Sequence, residues 1–149
     1  MARSDDGGPA LFRLVRFWSR RWAGLAAGEQ RQVQHVHTLE AVHSAVTGGV
    51  EPSVGEIAHR LGLDHSGASR LVRDATAAGY LARAESEVDR RRTVPRLTGS
   101  GRKLLTGALD WQREAFGELT ADWAEADRQR FAGYLQRLAE QVDGPQRSG

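Results

Sequence analysis

Cysteine is absent from this chain of 149 residues, which removes structural disulfides, thiolate zinc sites, a cysteine nucleophile and thiol-based redox sensing together. Long apolar runs are missing too. Nowhere do roughly 18 apolar residues follow one another as a spanning helix needs, and the N-terminus lacks the apolar centre of a signal peptide. The expectation is a soluble, cytoplasmic protein with no membrane partner. No phosphate-cradling glycine loop and no Gly-x-Ser-x-Gly elbow occur, which argues against an enzyme and against a bound cofactor. Of the five histidines, His35 and His37 face different ways on a helix and His43 lies two turns from His35. No pair has the i, i+4 spacing of a helical chelate, so no metal is expected.

Lysine is scarce: Lys103 is the only one among 21 basic residues, the rest being arginine. The net charge of +2 is unevenly spread, with +1 over residues 1–52, +4 over 53–103 and −3 over 104–149. A basic middle third suits contact with a polyanion. The length fits one domain with a sizeable core, or one domain with a dimerising appendage.

The ends, 1–9 and 143–149, have turn composition and no apolar period, and are expected to be disordered tails. Leu11, Leu14, Val15, Trp18 and Trp22 recur at helical spacing and predict an amphipathic helix that stops near Gly24. Val33, Val36, Leu39, Val42 and Val46 predict a second, halted by Gly48 and Gly49. Ser53 and Glu56 fit a capping box opening a third, with Val54, Ile57, Ala58 and Leu61 as its buried side and Gly62 as its end. Asp64 is a good N-cap for a fourth, so "GLD" joins two helices as in a helix-turn-helix. On that fourth helix Ala68, Leu71, Val72 and Ala75 make one narrow face. Ser66, Ser69, Arg70 and Arg73 lie opposite, and Gly67 permits close approach of another backbone.

Tyr80–Ala84 and Arg92–Leu97 read as two short strands around the tip "ESEVDRR". Pro95 has no amide to give a ladder, so its nitrogen should face away from the partner strand, or the pairing is short. Thr98 is a plausible N-cap for a long helix carrying Leu105, Ala108, Leu109, Gln112, Phe116, Leu119 and Trp123. Phe131, Tyr134, Leu135, Leu138 and Val142 mark a last one. The terminal stripes hold all four tryptophans, Trp18, Trp22, Trp111 and Trp123. At about 1.5–3 kcal/mol per large apolar side chain, leaving them wet would be costly, so a partner chain is the expected cover.

"SVGEIAHRLGLDHSGASRLVRDATAAGYLAR", Ser53 to Arg83, followed by "DRRRTVPRLTGSGRKLL", Asp89 to Leu105, resembles the MarR family of winged helix-turn-helix transcription regulators. The resemblance runs from about residue 11 to 142. It implies a mainly α fold: a winged helix-turn-helix with a two-stranded β wing, and N- and C-terminal dimerisation helices. The corresponding division is 10–47 for the N-terminal dimerising and linking helices, 48–98 for the DNA-binding lobe and 99–142 for the C-terminal dimerisation helices. Three positions depart from the family pattern, namely Gly67, Pro95 and Gly99.

The resemblance also implies a homodimer on double-stranded DNA at a pseudo-palindromic operator, often relieved by a small aromatic effector. A recognition helix enters the major groove with its N-terminal residues against the bases, which puts His65, Ser66, Gly67, Ser69, Arg70 and Arg73 in reach. Arg70 is the first choice for a forked contact to guanine. The helix starts at Ser53 and Asp64 suit phosphates. On the wing, Arg90 or Arg91 would enter a narrow minor groove and Arg92 would meet a phosphate, while Asp89 pre-orders one guanidinium through a forked ion pair. Trp18, Trp22, His35 and Leu39 are candidates for an effector cleft, the alternative for the tryptophans being dimer core. The competing functional reading is a winged-helix module that binds DNA without sequence preference or mainly binds a protein.

Overall fold

The structure, a computed structural model, describes residues 6–143, and of Trp22 and Ala23 the backbone only. Among these residues the chain forms six helices and one antiparallel hairpin, in the order α1 (Gly7–Ala23), α2 (Ala27–Thr47), α3 (Val54–Leu61), α4 (His65–Ala77), β1 (Leu81–Glu85), β2 (Thr93–Leu97), α5 (Gly99–Leu119) and α6 (Glu125–Asp143). None of these helices is long and apolar enough to cross a membrane.

The terminal helices reach further than expected. Gly7, Gly8 and Pro9 form the first turn of α1, where a proline's missing N–H would have had no helical partner anyway. Asp143, placed in the C-terminal tail by composition, closes α6. The remainder of both predicted tails lies outside the described residues.

The helix-turn-helix is set by local chemistry. Ser53 Oγ accepts the Glu56 amide at 3.1 Å, and α3 ends where Gly62 takes the left-handed conformation at φ +65°. There Gly62 N–H donates to His59 O and Leu63 N–H to Ala58 O, the paired bonds of a Schellman ending. Asp64 Oδ1 then accepts the Gly67 amide at 2.8 Å and opens α4. The expected capping box is half formed, because the Glu56 carboxylate does not reach back. It takes Arg60 Nε at 2.9 Å, while the Ser53 amide goes to Glu51 O. Arg60 also donates to Ser44 Oγ of α2 at 3.1 Å and lies 3.9 Å from Asp143 of α6, so its guanidinium joins three helices.

The hairpin pairs Leu81 with Leu97, Arg83 with Pro95 and Glu85 with Thr93. Backbone bonds from Thr98 N–H to Tyr80 O and from Ser86 N–H to Arg92 O mark hydrogen-bonded pairs at its two ends. Strict alternation between them makes Arg83–Pro95 a non-bonded pair, so the proline's nitrogen faces away from the ladder. Thr98 then caps α5 by accepting the Gly101 amide at 3.1 Å and ties back by donating to Gly79 O at 2.6 Å.

The core is Leu39 and Val42 of α2, Ile57 and Ala58 of α3, Ala68 and Ala75 of α4, Leu81 of β1 and Leu105 of α5. It sits wholly under the winged lobe. α5 stops at Leu119, earlier than the apolar period suggested, because Thr120 Oγ1 bonds back to Phe116 O at 2.7 Å and its backbone leaves the helix. Trp123 therefore belongs to the turn before α6, its ring 5.1 Å from that of Phe131. Outside the lobe the apolar stripes are bare: Phe12, Trp111, Leu119, Tyr134 and Val142 are each more than half exposed.

Candidate nucleic-acid interface

The narrow apolar face of α4 fixes what the rest of that helix presents. Ala68 and Ala75 are buried, with Leu71 and Val72 half-buried beside them, so the helix lies close on the core. His65, Ser66, Arg70 and Arg73 consequently stand in solvent, and Ser69 is half-buried at their edge. Gly67 faces the cap: a Cβ there would come within 2.8 Å of Asp64 Oδ1. Its small size thus keeps the cap carboxylate folded on the helix end, a closer role than a general welcome for a second backbone.

The hairpin stands beside this helix. Leu81, Arg83 and Glu85 share one side of β1 by the two-residue repeat, with Leu97, Pro95 and Thr93 opposite them. Near the root that side is core, and further out it turns polar, with Arg83, Glu85 and Thr93 exposed. A cleft of about 530 Å³ separates hairpin and helix, lined among others by Ser69, Arg73 and Thr76 of α4 and by Arg83 and Thr93 of the strands. Arg83 and Thr93 are not among the sequence candidates, although counting alternate residues outward from Leu81 reaches the arginine.

At the tip, Asp89 behaves differently from expectation. Its carboxylate accepts the Arg91 amide at 3.1 Å, and its backbone carbonyl accepts the Arg92 amide at 2.9 Å. Toward Arg92 it makes one contact of 4.0 Å to Nε, too long and too lopsided for a forked pair. A short acidic side chain two residues before an amide closes an Asx turn more readily than it reaches a neighbouring guanidinium. The tip backbone is therefore ordered by Asp89, while Arg90, Arg91 and Arg92 remain exposed.

The four residues proposed for an effector cleft are not brought together. Trp18 lines a cavity of about 590 Å³ among α1, α2 and α5, with Val33, Val36, His37, Leu104 and Trp111. The Trp18 and Trp111 rings meet edge to face at 6.1 Å. His35 and Leu39, one turn apart, look the other way, into the lobe core. There the His35 ring lies 5.3 Å from Tyr80. Burial holds the His35 imidazole below its usual pKa, with Asp74 opposing the shift and Arg31 adding to it. The Trp22 side chain is outside the described residues. His43 is exposed on the wall of a second cleft.

Residues 31–92, from α2 through the wing tip, match the model of the MarR family. Over those residues the chain is similar to the MarR family, and its fold is that of a winged helix-turn-helix. Solved structures carry the same fold over nearly its whole length. The crystal structure of MarR is 21% identical, with 95% of each chain covered and a TM-score of 0.63. A MarR family protein from Bacillus stearothermophilus is 15% identical over 96% of this chain and 100% of its own, with a TM-score of 0.62. The S. aureus MepR–DNA complex is 20% identical over 90% and 98%, with a TM-score of 0.56. Among curated proteins no sequence matches. The MarR family is one of transcription factors, and the matched residues span α4 and the wing tip, which makes these exposed surfaces the ones to account for.

Proposed function

We propose that this protein belongs to the MarR family and is a sequence-specific, double-stranded DNA-binding transcriptional regulator of repressor type, acting as a homodimer on a pseudo-palindromic operator. The carrying observation is the solvent-facing side of α4, where His65, Ser66, Arg70 and Arg73 stand clear of the core, with Ser69 half-buried at their edge, beside a wing tipped with three arginines. Arg70 reads a base edge. Ser53, Asp64, Ser66, Ser69, Arg73 and Arg92 hold phosphate and sugar through hydroxyls, guanidinium groups and the helix N-terminal amides, which fixes register without specifying sequence. Arg83 and Thr93, across the cleft from Arg73, extend that phosphate seat. Arg90 and Arg91 enter the neighbouring minor groove, with Asp89 ordering the backbone that carries them. Among the fold relatives, MepR has been solved with DNA, which is consistent with this use of the lobe.

Release by a small aromatic ligand belongs to the same reading. The cavity walled by Trp18, Trp111, Val33 and Val36, with His37 at its side, suits a planar organic molecule. MepR has also been solved with ethidium bromide.

The test is nuclease protection of the DNA upstream of the protein's own gene. Protection of an inverted repeat with half-sites about one helical turn apart, at concentrations that leave random duplex free, is the expected result. Equal affinity for operator and random duplex would instead favour sequence-blind binding, and no binding at low salt would overturn the reading.

A further inference from the structure

The outer half of the hairpin has few ties to the rest of the lobe, and one of them is chemically unusual. Ser86, at the end of β1, is 2% exposed although it neighbours a fully solvated tip. Its hydroxyl donates to Glu51 Oε1 at 2.5 Å, across 35 residues of sequence. The same oxygen accepts the amides of Val88 at 3.2 Å and Asp89 at 3.0 Å, the two that begin the turn. This side-chain bond joins the tip, residues 85–92, to the body of the lobe. Glu51 in turn lies in the connection that sets up α3: its carbonyl accepts the Ser53 amide at 2.8 Å, next to buried Pro52. One short segment thus carries both the entry to the helix-turn-helix and the anchor of the wing.

We propose that Glu51 and Ser86 form a latch that holds the wing at a fixed angle to the helix-turn-helix and so positions Arg90 and Arg91 for DNA. Neither residue touches DNA; both act through the arginines they position, and the inference rests on the DNA-binding reading above. A hydroxyl-to-carboxylate bond of this length is of the strong, charge-assisted kind. An unlatched hairpin would spend only part of its time in the binding pose, and apparent affinity falls by that fraction.

Two arms test the latch, one with DNA and one without. With operator duplex, Glu51→Ala is expected to weaken binding about tenfold, the equilibrium factor of one charge-assisted hydrogen bond at the low end of its range. Glu51→Gln, which keeps an acceptor, should fall between. In the Glu51→Ala background the loss from Arg91→Ala should shrink, because the wing no longer seats, whereas the loss from Arg70→Ala should persist in full. Independent, multiplying losses for Glu51→Ala and Arg91→Ala would overturn the proposal.

Without DNA, nitrogen-15 relaxation of the Glu51→Ala chain should show order parameters at Arg90 and Arg91 dropping from about 0.85 to below about 0.6, with Thr98 unchanged. Unchanged tip values would overturn the latch whatever the DNA does. If the wild-type chain ignores duplexes while the tip loosens as described, the functional reading fails and the latch stands.

Discussion

Gly101 shows how narrow the tolerance is at a single residue. It is buried in the first turn of α5, and a Cβ there would come within 2.1 Å of the Tyr80 carbonyl oxygen, a backbone atom that already accepts the Thr98 amide at 3.0 Å. Alanine ordinarily favours a helix over glycine by about 1 kcal/mol. Here overpacking against backbone outweighs that gain, so Gly101→Ala should lower stability by about 1–3 kcal/mol, read from the midpoint of urea unfolding. A midpoint at or above that of the parent would contradict the close approach.

Arg70 and Arg91 belong to the same scale but to different energies. A forked contact to one base edge discriminates by about 1–3 kcal/mol, so Arg70→Ala should weaken the operator and flatten preference at one base position. Arg91→Ala should weaken many sequences alike and reduce the salt slope by about one. Both are read by titrating a panel of single-base operator variants at several salt concentrations. Identical patterns for the two variants would refute the division of roles.

At the level of elements, His35 joins α2 to α4 and to the turn that leads into β1. Its ring packs on Tyr80, with Asp74 of α4 as the nearby acid and Arg31 on its own helix. Burial lowers its folded pKa, whereas in the unfolded chain it titrates at the ordinary value of about 6.5. Above that pH both states hold a neutral ring and the group costs nothing. As pH falls through about 6.5 toward the folded value, the unfolded chain binds the proton more readily and stability is lost. The lobe should therefore unfold at lower urea concentration at pH 5 than at pH 7.5, and His35→Gln should remove part of that difference whatever its effect at neutral pH. Equal slopes for the two proteins would exclude His35 as the cause.

The elements themselves were legible because their signals are local. Ser53, Asp64 and Thr98 each accept an amide three residues on, and Gly62 and Gly79 take the positive φ that stops α3 and follows α4. A short-range oxygen or a missing Cβ is visible in a window of four residues. Glu56 was misjudged for the opposite reason: its partner Arg60 is positioned by Ser44 and Asp143, which no local window contains. The same limit separates His37, which lines the cavity, from His35, which does not. Both sit on α2, and which side meets α5 rather than α4 depends on how three helices pack. Asp89 failed as a forked partner because the choice between amide and guanidinium is made by turn geometry.

On the scale of the whole molecule, the distribution of burial supports the homodimer proposed above. The core lies under α2–α5 and the hairpin, whereas α6 contributes no buried residue and α1 leaves Phe12 and Phe17 in solvent. Bare apolar area of this kind on terminal helices marks an interface. The chain should sediment at twice its 16.3 kDa mass. Leu138→Asp and Val142→Asp together, on positions 42% and 74% exposed, should give a folded monomer, because neither side chain supports the lobe core. Two lobes on one dimer make the second half-site an intramolecular event, worth about 10²–10⁴ in affinity. The monomer should lose operator affinity on that scale while keeping weak binding to any duplex at low salt. Its salt slope should fall to about half, since half the phosphates are neutralised. A variant that stays dimeric, or a monomer that holds the operator as tightly as the parent, would show that the α1 and α6 surfaces serve something other than pairing two readers on DNA.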